Sequence, residues 1–163
     1  LGDPEATAMF RPLQPADTPN LLAMTAATNV FKPMEVDTLK GVLDDYPAEA
    51  AETGARCFVL EQHGEVVGFE YHAPEPMTEG TWLLWWIVVK PHTQGRGLGA
   101  RLLKHAEDDA RSHGGRALFI ETSSLPPYEP TRRFYLKYAY EQEGRLRDFY
   151  AAGDDKIVFR KAL

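Results

Sequence analysis

The chain has 163 residues, 44% of them hydrophobic and 26% charged, enough for one domain with a substantial buried core. Its net charge of -6 argues against a nucleic-acid partner, which calls for a basic face, and an acidic surface attracts cations. A lone cysteine, Cys57, excludes an internal disulfide and fits a reducing cytoplasm; no signal peptide is expected, and the longest apolar run, 82–89, is far too short for a membrane span.

In chain order, residues 1–8 read as a ragged end with no role, and 9–163 as a single domain. Met9-Phe10-Arg11-Pro12-Leu13 predicts an edge strand, where proline is tolerated. Asp17 or Thr18 can cap a helix that carries Pro19 in its first turn and runs to about Asn29. A second helix is expected over 34–46, closed by Pro47. Strands at 56–62 and 66–72 are joined by the hairpin signal His63-Gly64, and Cys57 falls in the first of them as an inert, buried thiol. Residues 73–80 read as a loop and 81–89 as a strand. A helix follows over 97–113, then strands at 117–122, near 140–147 and at 156–161, with a short helix over 131–140. The strands at 81–89 and 117–122 must be parallel, because a helix crosses between them.

The most informative stretch is Trp85-Trp86-Ile87-Val88-Val89-Lys90-Pro91-His92-Thr93-Gln94-Gly95-Arg96-Gly97-Leu98-Gly99-Ala100. A buried strand runs into a glycine-rich loop, and the loop opens a helix with the apolar stripe Leu98, Leu102, Leu103, Ala106, Ala110. Unpaired N–H groups at the positive end of a helix dipole hold phosphate, and glycine lets the backbone come close. Two ligands compete for these residues. Gly95-x-Gly97-x-x-Ala100, with Glu121 about twenty positions on, satisfies a dinucleotide fingerprint. Gln94-x-x-Gly97-x-Gly99 instead resembles the loop that holds the acyl-CoA pyrophosphate in the GNAT superfamily of N-acyltransferases. Four residues, Pro91 to Gln94, separate strand from glycines, and only about a third of the chain follows the motif. Both facts disfavour a nicotinamide-dependent oxidoreductase.

Downstream, Ala117-Leu118-Phe119-Ile120-Glu121-Thr122 is a second apolar strand. Ser123 to Pro130 form a loop, and Phe134-Tyr135-x-Lys137-x-x-Tyr140 a short aromatic helix. Loop, second strand and Phe134-Tyr135 together resemble the GNAT superfamily of acyl-CoA-dependent N-acetyltransferases over nearly the whole chain. The resemblance implies an α/β three-layer fold. Its central sheet would be mixed and mostly antiparallel, with about seven strands, two splayed central parallel strands and about four helices. The cofactor's pantetheine arm would enter the splay as a pseudo-strand.

The resemblance also implies the site. Acetyl-CoA would be held by backbone at Ile87, Val88 and Val89, by the loop Gln94, Gly95, Arg96, Gly97, Leu98, Gly99 and Ala100, and by Ser123, Tyr128, Thr131 and Tyr135. Backbone N–H at Val88 or Val89 could polarise the thioester oxygen. Tyr135 falls where the family places a tyrosine beside the cofactor sulfur, and a phenol is protonated at neutral pH. The acceptor pocket would involve Phe31, Tyr71, Trp85 and Tyr150, near Asp148 and Phe149. Strand alternation puts Trp85, Ile87 and Val89 on one face and Trp86 and Val88 on the other, so the two tryptophans take different roles.

Two departures stand out. The family's common glutamate falls near Leu83, which cannot accept a proton; Glu121, Glu70, His72, Tyr128 or an ordered water remain as candidates for the base. The family's asparagine and alanine before the last helix fall at Tyr128 and Thr131. Arg96 and Lys104 can add charge near the phosphates, although a solvated helix face is the better account of Lys104. The expected activity is direct, ternary-complex transfer of acetyl from acetyl-CoA to a primary amine of a small molecule, amino acid or peptide. No metal, nucleic acid or membrane is called for, and a homodimer is compatible. The alternative is a non-catalytic acyl-CoA sensor, favoured by the missing glutamate.

Overall fold

The computed structural model describes residues 8–93 and 97–163. Among them the strands are β1 (Met9–Pro12), β2 (Arg56–Gln62), β3 (Glu65–Pro74), β4 (Thr81–Val89), β5 (Ala117–Ser123), β6 (Glu141–Ala151) and β7 (Asp154–Ala162). The helices are α1 (Thr18–Ala27), α2 (Pro33–Thr53), α3 (Leu98–Ser112) and α4 (Glu129–Lys137). One sheet carries the order β1-β2-β3-β4-β5-β7-β6, with β4 and β5 parallel and every other pair antiparallel.

The sheet is covered on both faces. Leu21 and Met24 of α1 and Leu39 and Leu43 of α2 pack with Val59, Phe69 and Val88 on one face. The predicted stripe of α3 buries Leu103, Ala106 and Ala110 with Trp82, Leu84, Leu118, Ile120 and Tyr135 on the other. Cys57 is buried, with its thiol pushed up by burial, which makes it inert as expected. His63 and Gly64 both take positive φ, the geometry of a tight hairpin turn.

Helix α2 departs from expectation. It does not stop at Pro47 but runs to Thr53 and closes on Gly54, whose φ of 79° supplies a left-handed cap. A proline removes one helical hydrogen bond, and here its ring faces solvent while an alanine-rich segment carries the helix on. Tyr46, one residue earlier, anchors that part of the helix by accepting the Cys57 backbone N–H at 3.1 Å. At the start of the helix, the Glu35 carboxylate accepts the Lys32 N–H at 2.6 Å, closing a capping box with Pro33 at the first turn.

Candidate active site

The β4–β5 ladder runs from Thr81–Ala117 to Leu84–Ile120 and ends there. Beyond it, β4 remains paired to β3 as far as Val89–Gly68, while β5 stays with β7 as far as Ser123–Lys156. Each strand is held by its outer neighbour, so the two part and leave backbone without a cross-strand ladder between them. A cavity of about 280 Å³ opens at this splay. Its lining includes Ile87, Val88 and Val89 of β4, Glu121 and Ser123 of β5, and Tyr128, Thr131 and Tyr135 around α4. Phe31 and Lys32 of the α1–α2 connection and Glu35 in the first turn of α2 close it on one side, and Tyr150 and Asp154 from the β6–β7 hairpin on another.

A bulge in β4 shapes the floor. Tyr71 pairs with Trp86 but His72 with Leu84, so Trp85 is an extra residue that resets the alternation. Trp82 and Leu84 pack under α3, Ile87 and Val89 also face that side, and Trp86 and Val88 face α1 and α2. The expected grouping of Trp85 with Ile87 and Val89 is therefore corrected: Trp85 stands out of the ladder, 58% exposed, at the cavity edge. Trp86 packs on Phe31, ring centroids 5.5 Å apart.

Of the glycine loop, Gln94, Gly95 and Arg96 lie outside the described residues. Gly97 caps α3 with φ 74°, and the first helical bond is Arg101 N–H to Gly97 C=O, which leaves the amides of residues 98–100 without intrahelical acceptors. The Leu98 side chain is core, 2% exposed, so only its backbone is available to a ligand. A Cβ at Gly99 would lie 3.4 Å from the Phe134 ring, which sets the start of α3 against α4. Lys104 pairs with Asp108 on the solvated face of α3.

Tyr135 is 3% exposed, ringed by Phe134, Tyr140 and Phe159 at centroid distances of 5.6–5.9 Å, and lines the splay. Burial pushes its phenol well above the ordinary value, so it holds its proton at neutral pH. Glu121 pairs with Lys156 at 2.8 Å, and that ammonium sits 3.6 Å over the Phe149 ring. Tyr150, pushed up to about 12 by burial and by the carboxylates of Glu121, Asp154 and Glu35, stands beside them. The Ser123 hydroxyl donates to Asp154 and accepts the Leu125 N–H, which ties the β5 end to the hairpin. Tyr128 donates to Glu35 at 3.4 Å, and burial followed by Glu35 raises its phenol.

Three candidates fall elsewhere. Tyr71 is 6% exposed, edge-on to Tyr46, and does not line this cavity. Glu70 and His72, considered as bases, are fully buried under α3 and bound to each other at 2.5 Å. Conversely, Lys32, Glu35, Asp154 and Lys156 were not singled out from the sequence. The capping pattern Lys32-Pro33-x-Glu35 could have marked Glu35, but nothing local signals that Asp154 reaches the site.

The acetyltransferase (GNAT) family model matches residues 23–140. The chain belongs to the GNAT acetyltransferase family. A GNAT-family structure from Desulfovibrio desulfuricans is 38% identical with a TM-score of 0.89, covering 95% of this chain and 98% of its own. An amino-acid acetyltransferase from Ralstonia nicotianae is 37% identical over 82 residues, 50% of this chain, and the chain spans only 17% of that protein. A Salmonella typhimurium structure solved with its cofactor acetyl-CoA shares the GNAT fold, at 19% identity and TM-score 0.74 over 96% of this chain and 94% of its own. The seven-stranded mixed sheet with its one parallel pair, β4–β5, and its four helices match the fold expected of that family. No helix among the described residues is long and apolar enough to cross a membrane.

Proposed function

We propose that this chain transfers acetyl from acetyl-CoA to a primary amine of a small molecule, amino acid or peptide within a ternary complex. The observation that carries the reading is the β4–β5 splay, which lies between the open amide end of α3 and the buried phenol of Tyr135. An extended pantetheine arm fits a gap lined by strand backbone, and a pyrophosphate fits amides at a helix start. The amine nitrogen attacks the thioester carbonyl; the C–N bond forms and the C–S bond breaks. Glu121, directly or through one water, takes the proton that the amine loses, and Tyr135 protonates the departing thiolate. Lys156 holds the Glu121 carboxylate by an ion pair at 2.8 Å. Glu35 and Asp154, offset in part by Lys32 at 3.8 Å from Asp154, leave the acceptor side net acidic, and Phe31, Trp86 and Tyr150 make it aromatic, a combination that suits a protonated amine with an apolar body.

Calorimetric titration with acetyl-CoA, followed by a thiol-release assay over a panel of amines, tests the reading. Saturable binding with release on some amine is expected. Absence of binding at millimolar cofactor rejects it; binding without release on any amine transfers the case to the sensor reading.

A further inference from the structure

A second cavity, of about 320 Å³, lies between the later half of α2 and the β3–β4 pair. It shares Trp85 and Trp86 with the first cavity, so the exposed indole that the bulge carries out stands on the crest between the two. Ala55, Ala73 and Pro74 make its inner surface apolar. Its charged residues are Asp45 and Glu49, one helical turn apart, and Glu75; no lysine or arginine lines it. Among the described residues these three carboxylates form no ion pair, whereas Asp44 on the neighbouring face of α2 is paired with Lys40. Glu49 stands beyond Pro47, so it exists as a wall of the cavity only because the helix continues through the proline.

We infer that this cavity is the distal half of the acceptor site and holds the second, non-reacting ammonium of an α,ω-diamine or longer polyamine. The inference rests on the amine-acetylation reading of the first cavity. The reacting amine sits at the splay, the methylene chain crosses Trp85, and the far ammonium is received by Asp45, Glu49 and Glu75. Charge complementarity selects a cation, the apolar interior selects methylenes, and the shared indole makes the two cavities one path.

The test compares α,ω-diamines of increasing length with monoamines of equal carbon number, by thiol release at saturating acetyl-CoA. Beyond a threshold length the diamine should show kcat/KM about tenfold or more above its monoamine, through KM, with the advantage shrinking as salt rises. The double substitution Asp45→Asn with Glu49→Gln should bring the diamine down to the monoamine's level. Equal kcat/KM for long diamines and monoamines in the parent chain would overturn the inference while leaving amine acetylation intact. So would an equal loss on both substrates in the variant. If no amine is acetylated, calorimetric titration of the same diamines decides. Binding weakened about tenfold by the double substitution supports a cation site, and no binding to the parent chain rejects it.

Discussion

At Tyr135 one physical fact serves both packing and chemistry. The ring fills the core beneath α4, and the same burial keeps the phenol protonated beside the splay. Tyr135→Phe deletes only the oxygen, so acetyl-CoA affinity and Tm should stay near the parent's while turnover falls about ten- to a thousandfold, the range for one placed proton donor. Parental turnover in a folded Tyr135→Phe chain would return the residue to packing alone. Glu121 differs in being half-exposed and ion-paired. Glu121→Gln keeps the shape and removes the acceptor, so kcat should drop about a hundredfold with acetyl-CoA affinity preserved. A pH–rate profile that keeps its acidic limb in this variant would assign the base elsewhere.

At the scale of elements, α3 is where fold and cofactor site meet, and two glycines separate the contributions. Gly68 of β3 lets the helix sit down: a Cβ there would lie 2.9 Å from Leu102 and 2.9 Å from the Val88 carbonyl oxygen. Gly68→Ala should therefore cost about 1–3 kcal/mol of stability by overpacking, read as a lower urea midpoint. Gly97 is exposed and left-handed at the helix start. Gly97→Val strains that φ by about 1–2 kcal/mol and places a branched side chain over the open amides. Its acetyl-CoA affinity should fall by about 2 kcal/mol or more as charge-assisted hydrogen bonds are lost. Unchanged calorimetric affinity in folded Gly97→Val would put the phosphates away from α3.

Across the whole molecule, the sheet and α3 are joined by a buried polar cluster that the proposed reaction does not use. His72, fully buried, lies 2.5 Å from Glu70 through Nδ1 and 2.7 Å from Asp109 through Nε2, so each ring nitrogen has a carboxylate partner, an arrangement that favours the imidazolium. Arg56 also binds Asp109, and His105 of α3 reaches Glu70 at 2.9 Å. Burial opposes the charge, yet the hydrogen bonds to Asp109 and Glu70 prevail and push His72 from 6.5 up to about 9. Burial likewise opposes ionisation of Asp109, and His72 with Arg56 overcomes it, holding that carboxyl far below the usual range. A raised histidine stabilises fully below its unfolded value and loses that contribution as pH climbs through its folded one. The urea midpoint should therefore decline between pH about 6.5 and 9. The lowered Asp109 adds a loss on the acid side, as pH falls below the ordinary carboxylate range. His72→Gln should flatten the alkaline decline; an unchanged slope would assign it to other groups.

Much of this was legible in the residues themselves. Local hydrophobic periodicity and glycine placement determine the strands, the apolar stripe of α3, the parallel β4–β5 pair and the motif order of the GNAT fold, because those signals act over a few neighbouring positions. Where contacts distant in sequence compete with local preference, tertiary structure decided. Pro47 should end a helix, yet Tyr46 bonded to Cys57 and the cap at Gly54 carry it on. Alternation placed Trp85 with Ile87, but mismatched pairing of β3 with β4 extruded it as a bulge. Asp154 enters the site only because β7 lies beside β5, and Glu70 and His72 leave it because α3 brings Asp109 and His105 over them. Charged groups find their partners through the packed sheet, and no spacing along the chain encodes that meeting.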